Sequence, residues 1–96
     1  MANGNPSALI TGSGRNMGRA SAKELAKAGF NIVINGSRKL ADCERVADEV
    51  RAIGTDVAIV MADIGDKAAV AAMAETALQT FGRIDVLINN AAIRPA

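Results

Sequence analysis

The stretch Ala8-Leu9-Ile10-Thr11-Gly12-Ser13-Gly14-Arg15-Asn16-Met17-Gly18-Arg19-Ala20 decides the fold: an apolar run breaks into a glycine-rich turn, and the turn opens a helix. A buried parallel strand delivers such a turn to the edge of a sheet. Glycines without side chains let the backbone approach an anion, and the free N–H groups and dipole of the following helix face its charge. The same residues also suit a strand-turn-helix whose glycines serve backbone geometry alone. The rest of the chain decides between the two.

Outward from this turn, short apolar runs alternate with longer helical periods. The first strand covers Ala8 to Thr11, and Met17 to Ala28 is an alanine-rich helix with Leu25 on its buried side and Gly29 ending it. Asn31 to Asn35 holds Ile32, Val33 and Ile34 as a second buried strand. Ser37 is the expected N-cap of a helix placing Leu40, Cys43, Val46, Ala47, Val50 and Ile53 on one face, with Gly54 after it. A third strand runs from Asp56 to Met61. Asp66 sits in the first turn of a third helix, with Val70, Met73, Ala74, Ala77, Leu78 and Phe81 at helical spacing and Gly82 closing it. Val86, Leu87 and Ile88 form the fourth strand. This alternation is the order of a parallel sheet with helical crossovers, so the expected class is α/β, the N-terminal half (β-α-β-α-β-α-β) of a Rossmann-type doubly wound domain. Residues 1–7 are expected as a flexible leader and residues 8–96 as the dinucleotide-binding half of one domain.

Composition narrows the partners. The 96 residues are half apolar and 22% charged, with a net charge of +1 and both signs interspersed, so no basic face argues for nucleic acid. The single cysteine, Cys43, has no internal disulfide partner, and no apolar run reaches the roughly 20 residues of a membrane span. A cytoplasmic protein without a membrane partner is the expectation. Histidine, tyrosine and tryptophan are all absent, which removes the commonest acid-base side chain and the phenol that can donate a proton.

Ligands of an open α/β sheet bind beyond the carboxyl ends of the strands, where the strand order reverses. The residues at those ends are Gly12, Ser13, Gly14, Arg15, Asn16, Met17 and Gly18, then Gly36, Ser37 and Arg38, then Asp63 and Ile64, then Asn89, Asn90, Ala91 and Ala92. All four ends are polar or small, which favours a nucleotide site over a purely structural turn. The set Thr11-Gly12, Gly18-Arg19-Ala20, Asp63 and Asn89-Asn90-Ala91-Ala92 resembles the short-chain dehydrogenase/reductase family, with its Thr-Gly-x-x-x-Gly-x-Gly and Asn-Asn-Ala-Gly motifs. The resemblance covers the chain from Ser7 onward and implies that Gly12 and Gly18 bind the pyrophosphate, Asp63 with Ile64 beside it contacts the adenine, and Asn90, Ala91 and Ala92 line the ribose. Two positions depart from the pattern. The family's middle glycine is Asn16, a residue that tolerates the left-handed region well, and its last motif glycine is Ala92.

The cofactor follows from charge. A carboxylate at the end of the second strand, roughly 20 residues past the glycines, would hold ribose hydroxyls and repel a 2′-phosphate. That place is Gly36, followed by Ser37 and Arg38, and Arg38 and Arg15 can both pair with a phosphate, so NADP is expected over NAD. Arg38 alone reads equally well as a solvated charge at a helix start.

Other residues read as structure. Cys43 falls on the core face of its helix, Met61 and Met73 read as core packing, and Asp42, Glu44, Arg45, Asp48, Glu49 and Arg51 read as a solvated helix face with i,i+3 or i,i+4 pairs. No metal-ligand spacing appears. In the resembling family the chemistry rests on a serine, a tyrosine, a lysine and an asparagine that follow the Asn-Asn-Ala-Gly motif, so no catalytic residue is assigned here. The chain is accordingly expected to be part of one roughly two to three times longer. The resemblance implies hydride transfer between NADPH and a carbonyl or alcohol substrate in a homo-oligomeric full-length form, closest to the 3-oxoacyl-(acyl carrier protein) reductase group. Two other readings stay open: a non-catalytic dinucleotide-binding or regulatory module complete at this length, and another Rossmann transferase such as a methyltransferase, against which the missing acid at Gly36 counts.

Overall fold

The computed structural model describes residues 4–12 and 16–89. The strands are β1 (Ser7–Thr11), β2 (Asn31–Gly36), β3 (Val57–Met61) and β4 (Val86–Asn89), and the helices are α1 (Asn16–Lys27), α2 (Leu40–Ile53) and α3 (Lys67–Phe81). All strands are parallel, in the order β3-β2-β1-β4. The chain builds outward from β1 to β3 and then crosses back to lay β4 on the free side of β1. The order therefore reverses between β1 and β4, and the expected α/β Rossmann half is the fold observed.

Strand residues alternate between two cores. Ala8, Ile10, Ile32 and Ile34 face Ala22 and Ala26 of α1 and Cys43, Val46, Ala47 and Val50 of α2. Leu9 and Val33 face the other way, onto Met73, Ala77 and Phe81 of α3. With helices on both faces, β1 is buried at every residue and reads as an unbroken apolar run rather than an alternating one. One helix cannot cover the second face as two cover the first. Leu87, on β4, is left 65% exposed.

Several expectations shift. Ser7 belongs to β1 and is buried, so the strand begins one residue inside the expected leader. Ser37 is not the N-cap of α2. β2 runs on to Gly36 and the turn consumes Ser37 and Arg38, so Lys39 takes the cap position, with no side-chain cap bond. Asp66 stands one place earlier than expected, as the N-cap of α3, where its Oδ1 accepts the N–H groups of Ala68 and Ala69 at 3.0 and 3.3 Å. Leu40 and Leu78 are exposed rather than packed, and Met61, at the last residue of an edge strand, is also exposed rather than in the core. The charged face of α2 carries the i,i+3 pairs Arg45–Asp42 and Arg51–Asp48. Glu49 instead leaves its own helix and accepts from Arg19 of α1, with Arg19 Nε at 2.7 Å from Oε1. This pair holds the Glu49 carboxyl below its ordinary range, chiefly through the Arg19 hydrogen bond.

Candidate functional site

The site grows from the end of β1. Thr11 is buried, and its hydroxyl donates to Asn89 Oδ1 at 2.8 Å, joining the ends of the two strands that flank the reversal point. Gly12 then turns the chain with φ +61°, a left-handed value that a branched side chain rarely adopts. Its N–H donates to Asn35 Oδ1 at 3.3 Å. Asn35 is 2% exposed, and its Nδ2 donates to the carbonyls of Val60 at 3.0 Å and Ala62 at 3.2 Å. One amide thus ties the glycine turn to β2 and to the end of β3. A polar residue closing the run Ile32-Val33-Ile34 was the sequence signal for it, though its role needs the neighbouring strands to be seen.

Beside Gly12 lies a cleft of about 420 Å³ lined by Gly12, Gly36, Ser37, Arg38, Lys39, Asp42 and Cys43. Gly12, Ser37 and Arg38 were named from sequence and are brought together here. Lys39 was not named, and it adds a second exposed cation at the mouth, where the α2 N-terminus also presents N–H groups without a side-chain cap. Asp42 supplies the opposing charge and lies 3.7 Å from Arg45. Cys43 is 1% exposed, and burial followed by the Asp42 charge pushes its thiol up, so it stays protonated and apolar as expected.

Gly36 ends β2, the place where a discriminating acid would stand. A Cβ built there would fall well inside van der Waals contact of Cys43 Sγ, with Met61 Cε at 3.5 Å. A side chain at residue 36 would therefore require the Cys43 thiol to shift.

The other named residues do not all converge. Met17 is 76% exposed at the start of α1 and Gly18 is buried within it. Asn16 opens that helix. Asp63 is exposed and its Oδ1 accepts the Gly65 N–H at 2.9 Å, forming a local turn. Ile64 lines a second cavity of about 220 Å³ with Leu9, Thr11, Val70, Met73, Ala74, Leu87 and Asn89, apart from the first cleft. Ser13, Gly14, Arg15, Asn90, Ala91 and Ala92 lie outside the described residues. Among the described residues no acidic, cysteine or histidine cluster suits a metal, and no helix is long and apolar enough to cross a membrane.

Comparison with known proteins agrees with this geometry. The family described as short chain dehydrogenase matches residues 6–96. Versicolorin reductase 1 of Dothistroma septosporum is 42% identical over 86 residues, which cover 90% of this chain and 33% of the relative. A 3-oxoacyl-(acyl-carrier-protein) reductase of Staphylococcus aureus is 39% identical over 87 residues, 91% of this chain and 35% of the relative. The chain thus spans about a third of the length of these curated relatives. Among solved structures, a metagenomic short-chain oxidoreductase in complex with NADP superimposes with a TM-score of 0.85 at 33% identity, over 92% of this chain and 39% of that one. Since the family match begins one residue ahead of β1 and runs through β4, the chain belongs to the short chain dehydrogenase family.

Proposed function

We propose that this chain forms the NADP-binding part of an oxidoreductase that transfers hydride between NADPH and a carbonyl or alcohol substrate, akin to the 3-oxoacyl-(acyl carrier protein) reductases. The observation that carries the reading is the cleft itself. Its inner wall is glycine backbone at Gly12 and Gly36, and its mouth holds Arg38 and Lys39 with no acid at the end of β2. A dinucleotide fits those residues. Gly12 and the start of α1 suit a pyrophosphate, while Arg38 and Lys39, with Ser37 as a neutral hydrogen-bonding neighbour, suit a 2′-phosphate. The cofactor, when bound, supplies the hydride. This chain's own residues bind and orient it, and its 96 residues include no tyrosine to serve as a phenolic proton donor. The solved relative with NADP and the two reductases support the same reading.

Titration of the full-length protein with NADPH and NADH, followed by cofactor fluorescence, tests it. Tighter binding of NADPH by about tenfold or more is expected from a charge-assisted phosphate contact. Equal affinities would overturn the NADP assignment.

A further inference from the structure

We propose that Asn35 is a positioning residue for the dinucleotide, its side-chain amide setting the separation between the Gly12 turn and the cationic mouth of the cleft at Arg38 and Lys39. The proposal rests on the dinucleotide reading above. A ligand with its pyrophosphate at Gly12 and its 2′-phosphate at Arg38 and Lys39 carries both charges on one adenosine. The two halves of the cleft must therefore stand a fixed distance apart before it binds.

The backbone ladder stops short of the site on one side only. β1 and β2 are in register from Ser7–Asn31 to Ile10–Ile34, whereas β2 stays paired with β3 as far as Gly36–Met61. Gly12 lies two residues past Ile10 and turns at φ +61°. Asn35 spans the gap with its side chain. Its Oδ1 accepts the Gly12 N–H at 3.3 Å, and its Nδ2 donates to the carbonyls of Val60 at 3.0 Å and Ala62 at 3.2 Å. These partners dictate which way the amide faces, since a carbonyl only accepts and an N–H only donates. The next residue, Gly36, is anchored to the same strand end, its carbonyl accepting the Ala62 N–H at 2.9 Å. The base of the Ser37-Arg38-Lys39 turn is thus tied to β3, and Asn35, 2% exposed, holds Gly12 to that base. With leucine at residue 35, a side chain of similar volume, the Gly12 N–H meets methyl groups in place of an acceptor and turns toward water to recover a partner.

Asn35→Leu in the full-length protein tests this with two ligands. NADPH spans both halves of the cleft, and adenosine 2′-monophosphate, read by its displacement of NADPH, reaches the adenosine end alone. NADPH is expected to weaken about tenfold and adenosine 2′-monophosphate to stay within about threefold of wild type, because only the spanning ligand feels the separation. A smaller folded fraction would weaken both by the same factor, so equal losses overturn the positioning role. Unchanged NADPH affinity overturns it too, as does failure of adenosine 2′-monophosphate to displace NADPH from wild type. Should Asn35→Leu not fold, Asn35→Thr supplies a side chain suited to a strand whose hydroxyl is one bond too short for Gly12, and the same split between the ligands is expected. Its absence overturns the proposal. If wild type binds neither NADPH nor NADH, the dinucleotide reading fails. Hydrogen exchange at the Gly12 N–H, expected to be about tenfold faster in the variant, then reports separately whether Asn35 holds the turn, and equal exchange rates would overturn that tie.

Discussion

The side-chain oxygen of Asn35 accepts the backbone N–H of Gly12 at 3.3 Å, so the glycine turn at the end of β1 is held from β2 and not by its own strand. The same amide donates to Val60 and Ala62, at the end of β3. A buried amide that serves three strands at once is costly to remove, because its partners stay behind without water.

Asn35→Ala should therefore destabilise the fold by about 2–3 kcal/mol, more than a single exposed hydrogen bond, and weaken dinucleotide binding as the Gly12 turn loosens. Urea unfolding measures the first effect and an NADPH titration the second. Unchanged stability would show that the amide's partners find replacements.

Arg38→Asp places a carboxylate where the cleft now offers a cation. It should lower NADPH affinity by about ten- to a hundredfold while changing NADH affinity far less. Ser37→Asp should shift the preference in the same direction. Parallel titrations with the two cofactors check both.

Gly12→Val should abolish dinucleotide binding and leave most helical circular dichroism intact. Its φ of +61° disfavours a branched residue, and the added side chain would stand beside the cleft. Tight NADPH binding by this variant would place the ligand elsewhere.

Asp85 sets a pH dependence. Its carboxylate accepts from Arg83 and, at 2.9 Å, from the Ser7 N–H, and the Arg83 hydrogen bond with the Ser7 contact behind it holds its pKa below the ordinary value. A depressed folded-state pKa means that the unfolded chain binds the proton more readily. The stabilisation is thus present above the ordinary carboxylate range and lost as pH falls through the folded-state value. Urea midpoints measured from about pH 6 to about pH 3 should fall more steeply for wild type than for Asp85→Asn. Equal slopes would remove Asp85 from the acid response.

The fold was legible because its buried strands are short apolar runs and its helix ends are marked. Ile32-Val33-Ile34 can only be a strand between Gly29 and the next helical period, and Gly29, Gly54 and Gly82 all take positive φ after helices as their positions suggested. What resisted reading depends on neighbours. Ser37 is a good cap by type, but the length of β2 moved the cap to Lys39. Leu40, Met61 and Leu78 satisfy apolar periodicity yet lie where no element covers them. Of the candidate site, Gly12, Ser37 and Arg38 were readable as a group. Lys39 and Asn35 were not, since one depends on how the β2–α2 turn is spent and the other on which strand lies beside β2.

Pairing β1 with β4 has a kinetic consequence. The contact between Ser7 and Asp85 closes a loop of 78 residues, whereas β2 joins β1, and β3 joins β2, through much shorter segments. Closure entropy grows with loop length, so the three strands and two helices up to Met61 can assemble early and β4 docks last. On the ribosome the outer edge of β1 must therefore wait, bare and ready to pair, until Val86 has emerged, and a chain arrested before that point carries an open strand edge that invites association with another nascent copy.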